Sequence, residues 1–234
     1  MTDTLSFRDR AGQFMGSTPF ILSVLIICSV AMVFVGGLGY LLGLLIALIT
    51  LWARRWDWTY FGLSKPQWIP SLFQALGYTL GLILFVDVLI TPLVEHLTAT
   101  AHDLSSFEFL RGNLMSLLIY FVFMWVVAGF GEEFFYRGYM MKRLAAIFGD
   151  TNQAWILGGI ISSFTFGIVH FYQGISGVIT TGLVGLAFAF IFFRNRQNLL
   201  VCMLTHGIYD MFGLTLIYFG KETIFTDWMA GVLG

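Results

Sequence analysis

The stretch NLMSLLIYFVFMWVVAGFGEEFFYRGYMMKRLAAIF, residues 113–148, decides how this chain folds. Its first half is almost wholly apolar, which is the composition of a membrane-spanning helix. Two adjacent carboxylates, Glu132 and Glu133, follow without a break, and Arg137 comes one helical turn later. Ionisable side chains at bilayer depth are costly and point to a function by default. The stretch therefore predicts a transmembrane helix that carries part of a polar site into the membrane.

The composition of the whole chain agrees with a membrane location. Of the 234 residues, 58% are hydrophobic, 18% are aromatic and only 11% are charged, whereas a soluble domain carries about 25% charged residues. Too few polar side chains are present to coat a water-soluble globule, so we expect an integral membrane protein surrounded by membrane lipid. The net charge of −1 does not indicate a nucleic-acid partner.

Apolar stretches of nearly spanning length recur along the chain and predict about seven transmembrane helices. The first stretch has no convincing cleavage site, so we expect it to remain as an anchor. No repeat or soluble insertion divides the chain, and we predict an all-α, polytopic transmembrane helical bundle that forms a single membrane domain over residues 1–234. The predicted spans are residues 19–35, 38–53, 71–92, 113–148, 153–172, 175–193 and 199–219.

Basic residues distinguish the two ends of the predicted bundle. With a cytoplasmic N-terminus, ten of the twelve Lys and Arg residues fall on the inner side, and only Arg111 and Lys221 fall on the outer side. This bias agrees with the positive-inside rule, so we expect a cytoplasmic N-terminus. The compactness of the chain favours a bacterial plasma membrane. His96 and His102 lie in the predicted outer loop and are expected to be solvated.

The helix over residues 113–148 is the longest of the predicted spans. At 1.5 Å per residue it would be about 54 Å long, well beyond a hydrocarbon core of about 30 Å. It must therefore tilt, kink or emerge from the membrane. Gly129 and Gly131 precede the two carboxylates, and we expect a bend there.

Polar residues of neighbouring helices are predicted to lie at matching depth. Counting outward from the turn near residues 149–152 places Glu132 and His170 at similar heights on antiparallel helices. Phe166 precedes His170 by four residues, so its ring can pack against the imidazole. His206 and Asp210 share a face of the last predicted helix by the same spacing. Glu133 and Arg137 share a face as well, which predicts a local ion pair.

Several kinds of chemistry suit these residues. Glu132 can act as a general base on water that His170 orients, and His206 can donate a hydrogen bond to the oxyanion of a tetrahedral intermediate. Alternatively, Glu132, His170 and His206 can ligate Zn²⁺, because two histidines and one carboxylate form a catalytic zinc set. Buried carboxylates and imidazoles also suit a proton or ion carrier. A non-catalytic membrane immunity or scaffold protein, in which these residues only brace the bundle, is the remaining alternative.

Three motifs together resemble those of a known family. Residues 132–137 match a Glu-Glu-x-x-x-Arg motif, residues 166–170 match a Phe-x-x-x-His motif, and residues 206–210 match a motif with His followed four residues later by Asn or Asp. They occur in the order found in the CAAX-processing and bacteriocin-processing (CPBP) intramembrane proteases. Three motifs over about 80 residues are specific, whereas any one of them alone is weak evidence.

The resemblance implies an intramembrane endopeptidase that hydrolyses a membrane-associated or lipidated, CAAX-like peptide and opens toward the cytoplasm. It implies that Glu132 and His170 activate water and that His206 and Asp210 stabilise the oxyanion. Glu133, Arg137 and Phe166 would support them. Members of the family are often called metalloproteases, although a metal-free glutamate mechanism is also argued, and bacterial members are linked to bacteriocin immunity. Asp210 departs from the Asn of the prenyl-processing enzymes, and an ionised carboxylate there would repel an oxyanion.

Overall fold

The computed structural model of the protein describes residues 6–64, 67–195 and 198–233. Over these residues the secondary structure is helical, apart from an isolated antiparallel β-bridge between Leu63 and Asn198. The predicted all-α membrane bundle is confirmed. Lys65 and Arg196, which the sequence analysis counted on the inner side, lie outside the described residues.

The helices are labelled α1 to α9 in chain order within the described part of the chain. Six of them, α2 and α4 to α8, are long and apolar enough to cross a membrane, and the 17-residue α3 is a shorter apolar helix. This agrees with the prediction of about seven spans. The bounds are α1 Phe7–Met15, α2 Thr18–Val35, α3 Gly37–Ala53, α4 Trp68–Thr98, α5 Leu114–Ile147, α6 Asn152–Val169, α7 Gly174–Arg194, α8 Leu199–Tyr218 and α9 Ile224–Leu233.

Helix α6 ends three residues earlier than predicted, and this places His170 at its C-terminal end. The N–H of His170 donates to the carbonyl of Gly167 at 3.0 Å, and a 3₁₀ turn follows over Phe171–Gln173. Gly174 then takes φ +78°, a conformation that glycine adopts without steric cost. His170 therefore lies at the start of a tight turn between α6 and α7.

Helix α5 is continuous over 34 residues. Near Gly129 and Gly131, where the sequence predicted a bend, the helix changes from α-helical to π-helical turns. The segments Trp125–Glu132 and Phe134–Met141 are π-helical. A π-helical turn widens the helix locally and is frequent at functional sites. The two segments flank Glu133, so the carboxylate pair lies where α5 departs from regular α-helical geometry.

Glycines allow α5 and α8 to pack closely. A Cβ on Gly207 of α8 would lie 2.5 Å from the ring of Trp125 on α5. A Cβ on Gly129 would lie 3.3 Å from the carbonyl oxygen of Met203. Small residues at helix crossings let membrane helices approach each other closely. This crossing brings the acidic residues of α5 next to the histidine of α8.

The bundle has two distinct ends. The basic end contains α1, residues 54–64, the turn at 148–151 and residue 195; there, Nζ of Lys142 donates to the carbonyl of Thr59 at 2.7 Å. The loop end contains residues 99–113, 170–173 and 219–223. At the loop end, the N–H of Asp103 donates to the carbonyl of Gln173 at 3.0 Å.

Large apolar side chains cover much of the exterior of the bundle. Phe34 is 80% exposed, Phe73 is 70% exposed and Val122 is 67% exposed. Exposed apolar surface of this extent is unfavourable in water and suits contact with lipid chains. The chain is an integral membrane protein.

Candidate active site

Residues from all three motifs line one cavity. The cavity has a volume of about 820 Å³, and we call it the chamber. Its wall includes Glu132 of α5, His170 at the end of α6, and His206 and Asp210 of α8. Phe166 of α6 also lines it. The fold therefore brings together four polar residues that the sequence separates by as many as 78 positions.

Glu133 and Arg137 form a buried ion pair beside the chamber. Nη1 of Arg137 lies 2.9 Å from Oε1 of Glu133, and both side chains are 0% exposed. Nη2 of Arg137 donates to the carbonyl of Gly185 on α7 at 3.0 Å. The ion pair predicted from the spacing is confirmed. Because removing charges from water is costly, such a pair depends on these additional hydrogen bonds.

The carboxylate of Glu133 also holds His206. Oε1 of Glu133 lies 2.8 Å from Nδ1 of His206. On the other side of the ring, Nε2 lies 3.6 Å from Oδ1 of Asp210 and 3.9 Å from Oε2 of Glu132. Both ring nitrogens thus face carboxylate oxygens, and an imidazole carries protons on both nitrogens only in its imidazolium form. The bond between Glu133 and His206 was not predicted from the sequence, because nothing in either motif reveals how α5 and α8 are rotated.

Aromatic rings complete the packing around these charges. The ring of Phe188 stacks on that of His206 with a centroid separation of 4.6 Å. The guanidinium carbon of Arg137 lies 5.2 Å from the centroid of Phe188 and 4.8 Å from that of Phe166. A cation over an aromatic face is stabilised by the ring quadrupole. The rings therefore hold the guanidinium and the imidazole in place and exclude water from behind them.

His170 is oriented by its own helix. Its Nδ1 lies 2.7 Å from the carbonyl oxygen of Phe166, and a carbonyl oxygen only accepts, so the proton resides on Nδ1. In the neutral ring, Nε2 then carries a lone pair that can accept a proton or a hydrogen bond. The ring centroids of Phe166 and His170 are 4.7 Å apart, which confirms the predicted packing.

Glu132 and Asp210 present carboxylates to the chamber. The side chain of Glu132 is 18% exposed and that of Asp210 is 17% exposed. Oδ2 of Asp210 is buried, and it has no hydrogen-bonding partner within residues 6–64, 67–195 and 198–233. The arrangement has carboxylate oxygens that can take a proton from a molecule in the chamber and imidazoles that can donate or accept one.

Zinc ligation by Glu132, His170 and His206 does not fit the observed side chains. Within the described residues, no three His, Cys, Asp or Glu side chains converge as metal ligands would. Nδ1 of both histidines is hydrogen-bonded, to Phe166 in one case and to Glu133 in the other, so Nε2 is the ring atom of each that is open to a ligand. We therefore derive no step through a metal.

The wall of the chamber also contains a hydrogen bond that was not predicted from the sequence. The hydroxyl of Tyr209 donates to Oδ1 of Asp87 on α4 at 2.5 Å, and both residues line the chamber. Tyr209 lies within the third motif, next to Asp210. The sequence does show Asp87 as an acidic residue within an apolar predicted span, but its partner Tyr209 lies 122 positions away. This bond joins α4 to the helix that carries His206.

His102 is half-buried and its ring has a protein partner, whereas His96 is exposed as expected. The connection after α4 folds back over the turn between α6 and α7, and Nε2 of His102 lies 3.2 Å from Oε1 of Gln173. The backbone N–H of His102 donates to Oε1 of Glu95 at 2.7 Å. Burial lowers the pKa of the His102 imidazole, although the hydrogen bond to Gln173 and the charge of Glu95 oppose the shift.

The fold and the chamber define a polytopic helical membrane protein with an internal Glu/His/Arg site. Residues 114–212, which contain all three motifs, match the family model described as type II CAAX prenyl endopeptidase Rce1-like. This segment, 99 of the 234 residues, is therefore similar to a family of type II CAAX prenyl endopeptidases. Neither the comparison with curated proteins nor the comparison with solved structures gave a match.

Proposed function

We propose that the protein is an intramembrane endopeptidase that hydrolyses a peptide bond of a membrane-associated or lipidated peptide with water activated by Glu132 and His170. The observation that carries the proposal is the convergence of Glu132, His170, His206 and Asp210 on one chamber of about 820 Å³. Ligand-binding cavities typically measure about 300–1,000 Å³, so a short extended peptide segment fits.

In the first step, the oxygen of a chamber water attacks the carbonyl carbon of the scissile bond. The carboxylate of Glu132 takes the water proton, and the lone pair on Nε2 of His170 positions the water. The carbonyl π electrons move to oxygen and form a tetrahedral oxyanion. His206 donates its Nε2 proton as a hydrogen bond to that oxyanion.

In the second step, the tetrahedral intermediate collapses and the C–N bond breaks. The proton held by Glu132 passes to the leaving nitrogen, so that the carboxylate returns to its starting state and no covalent enzyme intermediate forms. Glu133 acts through His206 as a positioning residue, since its hydrogen bond to Nδ1 turns Nε2 toward the chamber. Arg137 in turn holds Glu133.

The test uses purified full-length protein in liposomes and an internally quenched peptide with a lipid anchor. Glu132→Gln keeps the shape of the side chain but cannot accept the proton, so we expect cleavage to fall about 10²–10⁴-fold, the usual contribution of a general base. Glu108→Gln is the matched control, since Glu108 also lines the chamber but is exposed in the connection after α4. Unchanged cleavage by Glu132→Gln would contradict the proposal and favour a non-catalytic role.

A further inference from the structure

The chamber is open toward the loop end and closed toward the basic end. Its lining continues from the motif residues to exposed residues of the connection at 99–113, including Asp103, Ser105 and Glu108. Toward the basic end, the rings of Phe61 and Phe134 stack at 4.4 Å, and both are 0% exposed. A substrate therefore enters from the loop end.

The basic residues lie mostly at the opposite end. Arg137 belongs to neither end, because it is buried inside the bundle. At the loop end, the described Lys and Arg residues are Arg111, which pairs with Glu222, and Lys221. Seven described Lys and Arg residues lie at the basic end: Arg8, Arg10, Arg54, Arg55, Lys142, Arg143 and Arg194.

Contacts at the basic end are those of a membrane boundary. Nε of Arg8 donates to the carbonyl of Trp52 at 2.7 Å, and the guanidinium of Arg54 lies 4.6 Å from the ring centroid of Tyr60. Trp56 and Trp68 are 53% and 61% exposed. Tryptophan and tyrosine gather at the headgroup level, and short loops rich in Lys and Arg stay in the cytoplasm. Because the connections between helices are short in the part of the chain that the structure describes, the rule assigns the basic end to the cytoplasmic side.

We propose that the chamber opens on the side of the membrane opposite the cytoplasm, and that its substrate is a peptide segment displayed on that side. The cytoplasmic opening implied by the resemblance and the cytoplasmic N-terminus implied by the charges lie at opposite ends of this structure, so they are incompatible. The charge distribution is a property of this chain itself, so we assign the orientation of the bundle in the membrane from it. The substrate statement rests on the proposed function, whereas the orientation does not.

Cysteine labelling in intact cells tests the orientation. The two native cysteines, Cys28 and Cys202, are 0% exposed, so the unmodified chain serves as the blank. Single cysteines are placed at exposed positions of the two ends, and a membrane-impermeant maleimide is added before or after permeabilisation. The variants are Ser106→Cys and Thr100→Cys at the loop end, and Gln153→Cys and Gln13→Cys at the basic end.

We expect the two loop-end cysteines to react in intact cells and the two basic-end cysteines to react only after permeabilisation. Reaction of Gln153→Cys or Gln13→Cys in intact cells overturns the proposal. Failure of both Ser106→Cys and Thr100→Cys to react until permeabilisation also overturns it. The second position at each end guards against a variant that fails to fold.

Repeating the labelling on Glu132→Gln separates this inference from the proposed function. The orientation does not depend on catalysis, so the labelling pattern should be unchanged. The expected pattern in a protein without peptidase activity would leave the orientation standing and refute the proposed function. The reversed labelling pattern in a protein whose cleavage depends on Glu132 would refute the orientation and leave the proposed function standing.

Discussion

Oε1 of Glu133 lies 2.8 Å from Nδ1 of His206, although the two residues are 73 positions apart in the chain. The same oxygen lies 2.9 Å from Nη1 of Arg137. One carboxylate thus joins the first motif to the third and fixes the orientation of the imidazole in the chamber wall. The second glutamate of the pair is therefore a positioning residue, whereas the first, Glu132, faces the chamber.

Replacing Glu133 should destabilise the protein. Glu133→Gln leaves the fully buried guanidinium of Arg137 without its counter-charge, and breaking a buried ion pair in this way costs about 3–5 kcal/mol. We expect a clear fall in the free energy of unfolding, measured by denaturant titration in detergent micelles.

The double variant Glu133→Met with Arg137→Met is the control for this prediction. Removing both charges leaves no unpaired ion, so much of the stability should return. Cleavage should stay low, because His206 has still lost its Nδ1 partner. Full recovery of cleavage in the double variant would show that Glu133 does not act through His206.

Asp210→Asn should cleave at least as fast as the unmodified protein. Oδ1 of Asp210 lies 3.6 Å from Nε2 of His206, so a negative charge there is close to the proposed oxyanion. Asparagine keeps the shape of the side chain, removes that repulsion and adds an N–H donor. The measurement is kcat on the quenched peptide.

Asp210→Leu provides the comparison for Asp210→Asn. Leucine removes the charge at similar size but lacks the N–H donor that asparagine adds, and an oxyanion donor contributes about 10²–10³ in kcat, so Asp210→Leu should be slower than Asp210→Asn by about that factor. If Asp210→Asn were as slow as Asp210→Leu, the carboxylate itself would be required, and the oxyanion role of this position would be refuted.

Cleavage should persist after treatment with a metal chelator. The arrangement of Glu132, His170 and His206 does not converge on a common point, and the proposed mechanism uses only side chains and water. We expect the same rate before and after chelation, no gain on adding zinc, and no stoichiometric metal by mass spectrometry of active protein. Activity lost on chelation and restored by zinc would establish the alternative mechanism.

Acidification should loosen the connection that carries His102. Burial lowers the pKa of this imidazole in the folded protein, below the unfolded value of about 6.5. The folded state therefore favours the neutral ring. Its contribution to stability is present above the unfolded pKa and is lost as the pH falls through the folded pKa. We expect the apparent Tm to drop as the pH falls from neutral to below the folded pKa.

A His102→Gln variant isolates this effect from the other titrating groups. Glutamine can keep a hydrogen bond to Gln173 but does not titrate in this range. The pH-dependent drop in Tm should therefore be smaller in His102→Gln than in the unmodified protein. Identical drops in the two proteins would show that His102 is not responsible.

Residue patterns in the sequence were sufficient to predict the helical bundle and which residues make up the candidate site. Long apolar runs predicted the spans, and spacing along single helices predicted the Glu133–Arg137 pair and the packing of Phe166 on His170. These features depend on local helical periodicity, which the sequence carries directly. The early end of α6 at Val169 was not predicted, because the 3₁₀ turn after it shows no clear signal in composition.

The sequence by itself determined that this is a membrane helical bundle with acidic, imidazole and guanidinium groups on its last predicted helices, because composition and helical spacing are local properties of a chain. Only the tertiary structure decided that Glu133 holds His206, that Tyr209 meets Asp87, and that His102 covers the turn near Gln173. These contacts depend on how helices distant in sequence are rotated against one another, which the close packing at Gly129 and Gly207 sets. The tertiary structure likewise decided that the chamber opens at the end opposite most of the basic residues, because an opening exists only where packed helices leave space between them.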